Sequence, residues 1–354
     1  MKTGRLPSRQ SPGTITLLLT TKLTVLQHFA SAVPKRNMKR FFTLISSLLI
    51  LVCCFGSCQN NADKFCGATS KMGRQFVLNS NGLVEKVTSE NVYKLSKHVN
   101  VLEMQYTGIA DSVCKPYSIF AAEIELKGKV KVLATCVADS IESIKSTGEE
   151  RTLKAPMREH LYALQAKRPE LEVLCGVNAD FFTSSNMVMG VMHKDGKCLK
   201  GVFDGGEPAI AFAIMKDGTA RVITQDNYEL HKENIQEAVG GRVHLVSKGE
   251  KVGFTSKTVH PRTAVGVSAD HKKIILLVVD GRRPEYSAGV NFDKLAIMLI
   301  ALGADEAINL DGGGSSTFLI RNPDADKGFE TRNRPTDKRG DRAVPNGLAV
   351  VYSN

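Results

Sequence analysis

Three apolar runs in this chain each stop on an aspartate: EVLCGVNAD at Asp180, KIILLVVD at Asp280 and EAINLD at Asp311. The last two pass at once into glycine. Runs of about 4–8 residues rich in Val, Ile and Leu read as strands buried on both faces. A carboxylate at the end of such a strand is held by a rigid scaffold and still reaches the surface, which suits a catalytic group. The plainer reading of each is a turn, since Asp starts turns well and Asp-Gly is a common pair.

Other strands are expected on both sides of these runs. From residue 76 to about 147, NVLEMQYTGI, YSIFAAEIEL and VKVLATCVA alternate with turn residues, and Lys127-Gly128-Lys129 reads as a hairpin tip. Later come AIAFAIMKDGTARVI, with Asp217-Gly218 at a second hairpin tip, RTAVGVSADHKKIILLVVDGR, and NGLAVVY. Leu153, Met157, Leu161 and Leu164 predict an amphipathic helix over 153–167 that Pro169 stops. A second, apolar nearly all round and therefore buried, is predicted over 292–302 between the N-cap candidate Asn291 and Gly303. Strands outnumber helices without regular alternation, so the fold class is α+β, with mixed or largely antiparallel β-sheets and a few packed helices. Residues 59–75 read as a polar tether or irregular start, and 322–341 as a long exposed loop that could form a lid.

The formal charge of +11 would suggest nucleic acid until its position is traced. Residues 1–57 hold eight of the 47 basic residues and no acid, which leaves 39 against 36, or +3, for the rest. A nucleic-acid partner thereby loses its main support. From Met38 the leader has a short basic start, an apolar run too short for a comfortable membrane span, and small residues before Cys58. That layout is a signal peptide starting at Met38. With Gly56 and Ser57 ahead of it, Cys58 resembles the lipid-accepting cysteine of bacterial lipoproteins, although Phe55 stands where Leu is usual. Lipidation at Cys58 and ordinary cleavage are both open. Either places the chain outside the cytoplasm, in the bacterial cell envelope as a periplasmic or outer-membrane protein, touching membrane only through the anchor. The expected organisation is a leader over 1–57, a strand-rich region over 58–170, and a third region over 171–354. Cys66, Cys114, Cys136, Cys175 and Cys198 form no CxxC and give neither a zinc site nor a disulfide map; most are expected as small buried apolar residues.

A basic set accompanies the aspartates. Arg262 and Arg282 lie at the two ends of one predicted hairpin and should be neighbours, and Arg342 opens RAVPNGLAVV. Guanidinium groups match the oxygens of phosphate or carboxylate, the alternative being surface ion pairs. INLDGGGSST, residues 308–317, lacks the Gly-Lys-Ser/Thr ending of a P-loop. Gly312, Gly313 and Gly314 still allow positive φ and a ligand close to bare N–H groups, with Ser315 and Ser316 as further donors; a tight packed bend is the alternative. A serine nucleophile is poorly supported: there is no G-x-S-x-G, and His260 is a lone histidine before proline.

GVNADFF, HPRTAVGV, VVDGR, LGADEAINLDGGGSST and RAVPNGLAV, in that order across about 172–352, resemble the phosphodiester glycosidase domain family. The resemblance implies hydrolysis of a sugar-1-phosphodiester, GlcNAc-1-phosphodiester-like, at the anomeric C–O bond of a small-molecule or glycan substrate. By motif position it implies a site of Asn178, Asp180, Arg262, Thr263, Asp280, Gly281, Arg282, Asp311, Gly312, Gly313, Gly314, Ser315, Ser316, Arg342 and Asn346. Asp311, then Asp180, are the first choices for the carboxylate facing the anomeric carbon, with Asp280 beside them. The arginines and the glycine loop would stabilise charge on the leaving phosphate. No cofactor is demanded by any ligand spacing; a divalent cation held by the aspartates is left open. Binding of phosphosugars without turnover, and cleavage at the P–O bond, are the alternatives.

Overall fold

The structure, a computed structural model, describes residues 64–110, 113–140, 153–184, 186–204 and 209–353. The expected signal peptide and Cys58 lie outside the described residues. In chain order the strands are β1 (Lys86–Ser96), β2 (Val99–Ala110), β3 (Val113–Glu125), β4 (Val130–Cys136), β5 (Leu171–Asn178), β6 (Met192–Lys194), β7 (Lys197–Lys200), β8 (Ile210–Met215), β9 (Ala220–Thr224), β10 (Ile235–Gly241), β11 (Val243–Ser247), β12 (Glu250–Lys251), β13 (Arg262–Val267), β14 (Lys273–Val279), β15 (Glu306–Leu310), β16 (Phe318–Arg321), β17 (Phe329–Thr331) and β18 (Asn346–Ser353). The α-helices are α1 (Lys71–Asn79), α2 (Met157–Lys167), α3 (Gln225–His231) and α4 (Phe292–Ala301).

The strands form three sheets, ordered β1-β2-β3-β14-β13-β15-β11-β12, β7-β6-β10-β8-β9 and β17-β16-β5-β18-β4. Pairing is antiparallel throughout the described residues, as in β13 with β14 and β5 with β18. The α+β expectation holds, with antiparallel rather than mixed sheets. Strands from before and after residue 170 share sheets: β3 pairs with β14, and β4 with β18.

The apolar run of β14 shows how the layers are built. Ile274, Leu276 and Val278 point into a core shared by all three sheets, while Ile275, Leu277 and Val279 point into a second core under α1 and α4. Alternation sends successive side chains to opposite faces, so a strand covered on both sides is apolar at every position. Each such side chain contributes roughly 1.5–3 kcal/mol by burial. Met157, Leu161 and Leu164 of α2 cover the outer face of the β5/β18 sheet, and Tyr228 of α3 packs on β8 and β10.

Four expectations need correction. Lys127-Gly128-Lys129 is a corner, with Gly128 at φ +64°, but it carries the chain from the first sheet to the third instead of closing a hairpin. The first predicted helix starts at Met157, not 153. Ala155 pairs in extended form with Val344, Pro156 stands at the cap, and Leu153 is exposed. The region read as tether or irregular start includes the beginning of α1, whose first turn is capped by the Ser70 hydroxyl accepting from Gly73 N, and Phe76 inserts into the core. Cys136 and Cys175 are buried, but Cys114 and Cys198 are exposed. The helix predicted over 292–302 is α4, with the Asn291 side chain accepting from Lys294 N and Gly303 at φ +101°.

Candidate functional site

Register alone brings the marked residues together. In the first sheet Arg262 pairs with Val279, one residue before Asp280, and Thr263 pairs with Leu310, one before Asp311. In the third sheet Asn178 pairs with Gly347, beside Asn346. The two sheet ends are joined by Asp311 N donating to Ala179 O at 2.8 Å and Asn178 Nδ2 donating to Asp311 O at 2.7 Å. The fully buried Asn178 also accepts from Thr263 Oγ1 and from Thr317 N. This one side chain therefore fixes three strand ends.

The three aspartates differ in what surrounds their carboxylates. Asp180, 2 % exposed, accepts from Gly190 N at 3.1 Å on Oδ1, and from Gly240 N at 2.9 Å and Asn346 Nδ2 at 2.7 Å on Oδ2. A Cβ on Gly190 would stand 2.7 Å from Oδ1, so the close approach requires glycine. Asp280, 1 % exposed, accepts from Asn333 Nδ2, Tyr286 OH and Arg334 N. Burial raises the pKa of both, and these donors oppose the rise. Asp311 is only partly buried and is held by the Ser315 hydroxyl and Gly312 N. Burial pushes its carboxyl up to about 6, with Asp180 adding to the rise and Arg342 opposing it.

The glycine loop faces this carboxylate, but its N–H groups are not the open nest the sequence suggests. Gly313 N donates to Pro261 O, Ser315 N to Gly312 O and Ser316 N to Gly313 O, closing a short 3-10 turn over Gly313–Ser315. The glycines serve as a seat for guanidiniums. A Cβ on Gly313, where φ is +63°, would lie 3.1 Å from Arg282 Nη2, and one on Gly314 would lie 2.7 Å from Arg342 Cζ. Gly312 backs onto Pro261 O, and Gly281 onto Pro261 N.

Arg282 has the left-handed backbone unusual for a side-chain residue, φ +58°, which turns its Nη2 to within 3.3 Å of His260 Nδ1. Arg262 is buried, donates to Val290 O and Thr258 O, and stacks 4.1 Å over the Phe292 ring. Burial first, then Arg282, lowers its pKa to about 10, so it stays charged at neutral pH. Burial and the same two arginines lower the pKa of His260, which keeps that imidazole neutral. Arg342 donates to Asp337 Oδ2 at 2.8 Å and to Ser315 Oγ at 3.3 Å. Among the described residues no carboxylate lies within ion-pair distance of Arg262 or Arg282, so their charge is available to an anion. The buried Ser316 Oγ has no hydrogen-bond partner among the described residues.

All the predicted residues from Asn178 to Asn346 thus gather at one end of two sheets, while Cys58 is outside the description. Asn333, Tyr286 and Gly240 were not anticipated. Asn333 is buried and also accepts from Phe318 N and donates to Ser316 O, although it sits in the segment read as an exposed loop. A lone Asn in a charged stretch gives no periodic signal, and that segment also contains β17, with Phe329 buried. Among the described residues no three His, Cys, Asp or Glu side chains are grouped to hold a metal ion.

Chemically, the site offers three carboxylates, of which Asp311 has its pKa pushed up to about 6, together with three guanidiniums. Residues 172–351 match the phosphodiester glycosidase family. The chain is 31% identical over 156 residues to N-acetylglucosamine-1-phosphodiester alpha-N-acetylglucosaminidase of Bos taurus, covering 35% of this chain and 28% of that protein. It is 29% identical over 157 residues to the SPbeta prophage-derived uncharacterized protein YomE of Bacillus subtilis (strain 168), covering 41% of this chain and 24% of that one. The matched parts thus span about a quarter of the length of these relatives. The catalytic domain of the zebrafish N-acetylglucosamine-1-phosphodiester alpha-N-acetylglucosaminidase, solved auto-inhibited by its pro-peptide, superposes with a TM-score of 0.54 at 22% identity over 75% of this chain and 87% of that one, a likeness of fold. With half of its length matched and the strand-end motifs gathered at one site, the chain belongs to the phosphodiester glycosidase family.

Proposed function

We propose that this chain hydrolyses a sugar-1-phosphodiester at the anomeric C–O bond, with N-acetylglucosamine as the first sugar to test. One observation supports this most: of the three strand-end aspartates, Asp311 alone is not a fully buried residue and has a carboxyl whose pKa burial pushes up to about 6, and it adjoins the arginine-seated glycine loop. A base poised near the working pH is effective in proton transfer. Asp311 takes a proton from water as the water oxygen bonds to the anomeric carbon. The C–O bond breaks, its electron pair stays on the phosphate oxygen, and a free sugar and a phosphomonoester result. Phosphate is a good leaving group, so charge stabilisation by Arg262, Arg282 and Arg342 replaces a strong general acid. Asp180 and Asp280 act as positioning residues that lock the backbone on either side.

The resemblance of Cys58 to a lipidated cysteine supports attachment at the cell envelope. Among the described residues no helix is long and apolar enough to cross a membrane.

The test is incubation of the purified protein with the methyl ester of GlcNAc-α-1-phosphate and a panel of other sugar-1-phosphodiesters in labelled water. Free sugar carrying the label is the expected result. Label in the phosphate would instead make the enzyme a phosphodiesterase. Binding without turnover, unaffected by Asp311→Asn, would make it a phosphosugar-binding module.

A further inference from the structure

Next to the site is a cleft of 690 Å³ that shares Arg342 with the catalytic loop. Its walls hold four cations, Lys154, Lys338, Arg339 and Arg342, against two carboxylates, Asp337 and Asp341. Both carboxylates are already engaged. Asp337 accepts from Arg342 Nε, and Asp341 accepts from Thr331 Oγ1 at 2.8 Å and lies 3.6 Å from Arg158 Nη2. Among the described residues no ion pair engages Lys154, Lys338 or Arg339. The cleft therefore presents a net positive wall. It also has an apolar surface, the Phe182 ring, with Lys154 Nζ 4.6 Å from its centroid.

An aromatic face beside uncompensated ammonium and guanidinium groups suits a ligand with a sugar ring and a further anion. The volume is in the range that holds a ligand of that size. Arg342 lines the cleft and also donates to Ser315 of the loop beside Asp311, so the cleft adjoins the position proposed for the scissile phosphate. We propose that this cleft is a subsite for an anionic leaving group: the substrate is an oligomer of sugar phosphates, whose second phosphodiester is held by Lys154, Lys338 and Arg339 while the intervening sugar lies on Phe182. This rests on the reaction proposed above for the substrate's first phosphodiester.

The test compares three probes: the methyl ester of a sugar-1-phosphate, a dimer of that unit with two phosphodiesters, and the same dimer with the second phosphate replaced by a neutral linker. Binding is measured by calorimetry on full-length Asp311→Asn protein, so that it does not depend on turnover, and kcat/KM on the unmodified protein. The charged dimer should bind about tenfold more tightly than the other two, the sum expected from two or three partly exposed ion pairs. Lys154→Gln, Lys338→Gln and Arg339→Gln combined should erase that preference and leave the methyl ester unaffected. Equal binding of the charged and neutral dimers, or a preference that survives the triple variant, overturns the proposal. A binding preference without cleavage of any probe would retain the subsite and refute the hydrolytic reading, so the two failures are distinct.

Discussion

The guanidinium of Arg342 occupies the space that a side chain on Gly314 would need, with Cζ 2.7 Å from the position of that Cβ. Gly314 does not have a left-handed backbone, so alanine would meet only the end of a flexible arginine. Gly314→Ala is therefore expected to cost less than about 1 kcal/mol in stability while lowering kcat/KM about 10²-fold, the loss typical of one displaced charge-stabilising donor. Urea unfolding together with steady-state kinetics would check it. Full activity in a stable variant would show that the seat does not matter.

Asn178 connects Thr263, Thr317 N and the Asp311 carbonyl from a fully buried position. Asn178→Ala leaves those groups without a partner, and two of them are in the site. A loss of about 2–4 kcal/mol is expected, because buried unsatisfied donors and acceptors cost about 1–3 kcal/mol each. Denaturant titration gives the value. A loss below about 0.5 kcal/mol would mean that water or another side chain replaces the amide.

How far the sequence anticipates this site depends on the kind of signal. Asp280 and Asp311 are visible because an apolar run that ends on Asp-Gly has both a period and a stop, and register then places Arg262 and Thr263 beside them. The glycine triplet announces close approach but not its occupant, since two arginines far along the chain fill the space that a bound anion was expected to fill. Asn333 and Gly240 are invisible for the same reason. Gly240 acts through one long-range contact and Asn333 through three, to Phe318, Ser316 and Asp280, and contacts between residues far apart in sequence leave no pattern along the chain. The corner at Gly128 has the residues of a hairpin, and only the pairing of β4 with β18 decides otherwise.

Asp180 and Asp311 should respond differently to the same substitution. Asp180→Asn places an amide NH₂ group among three N–H donors and is expected to destabilise the fold by about 2–4 kcal/mol. Any loss of activity would follow the loss of folded protein. If Asp180→Asn instead removed turnover with an unchanged unfolding midpoint, the catalytic assignment would move to Asp180.

For Asp311 the pH dependence has a definite sign. Its folded pKa of about 6 lies above the ordinary value of 3.8, so the folded state holds the proton more tightly. The stability this gives is fully present below pH 3.8 and is lost as the pH rises through about 6, a difference of at most about 3 kcal/mol. In the proposed mechanism turnover needs the ionised form and should fall on the acid side with an apparent pKa near 6, so the proposed reaction runs in the pH range where this stability is lost. Asp311→Asn, which cannot ionise, should abolish turnover and melt about 2–4 °C above the unmodified protein at pH 7.5. Near pH 4, where the unmodified carboxyl is protonated, that gap should close. Thermal melts of both proteins from pH 4 to 8 measure it. A variant that melts below the unmodified protein at pH 7.5 would make Asp311 a structural carboxylate like Asp180.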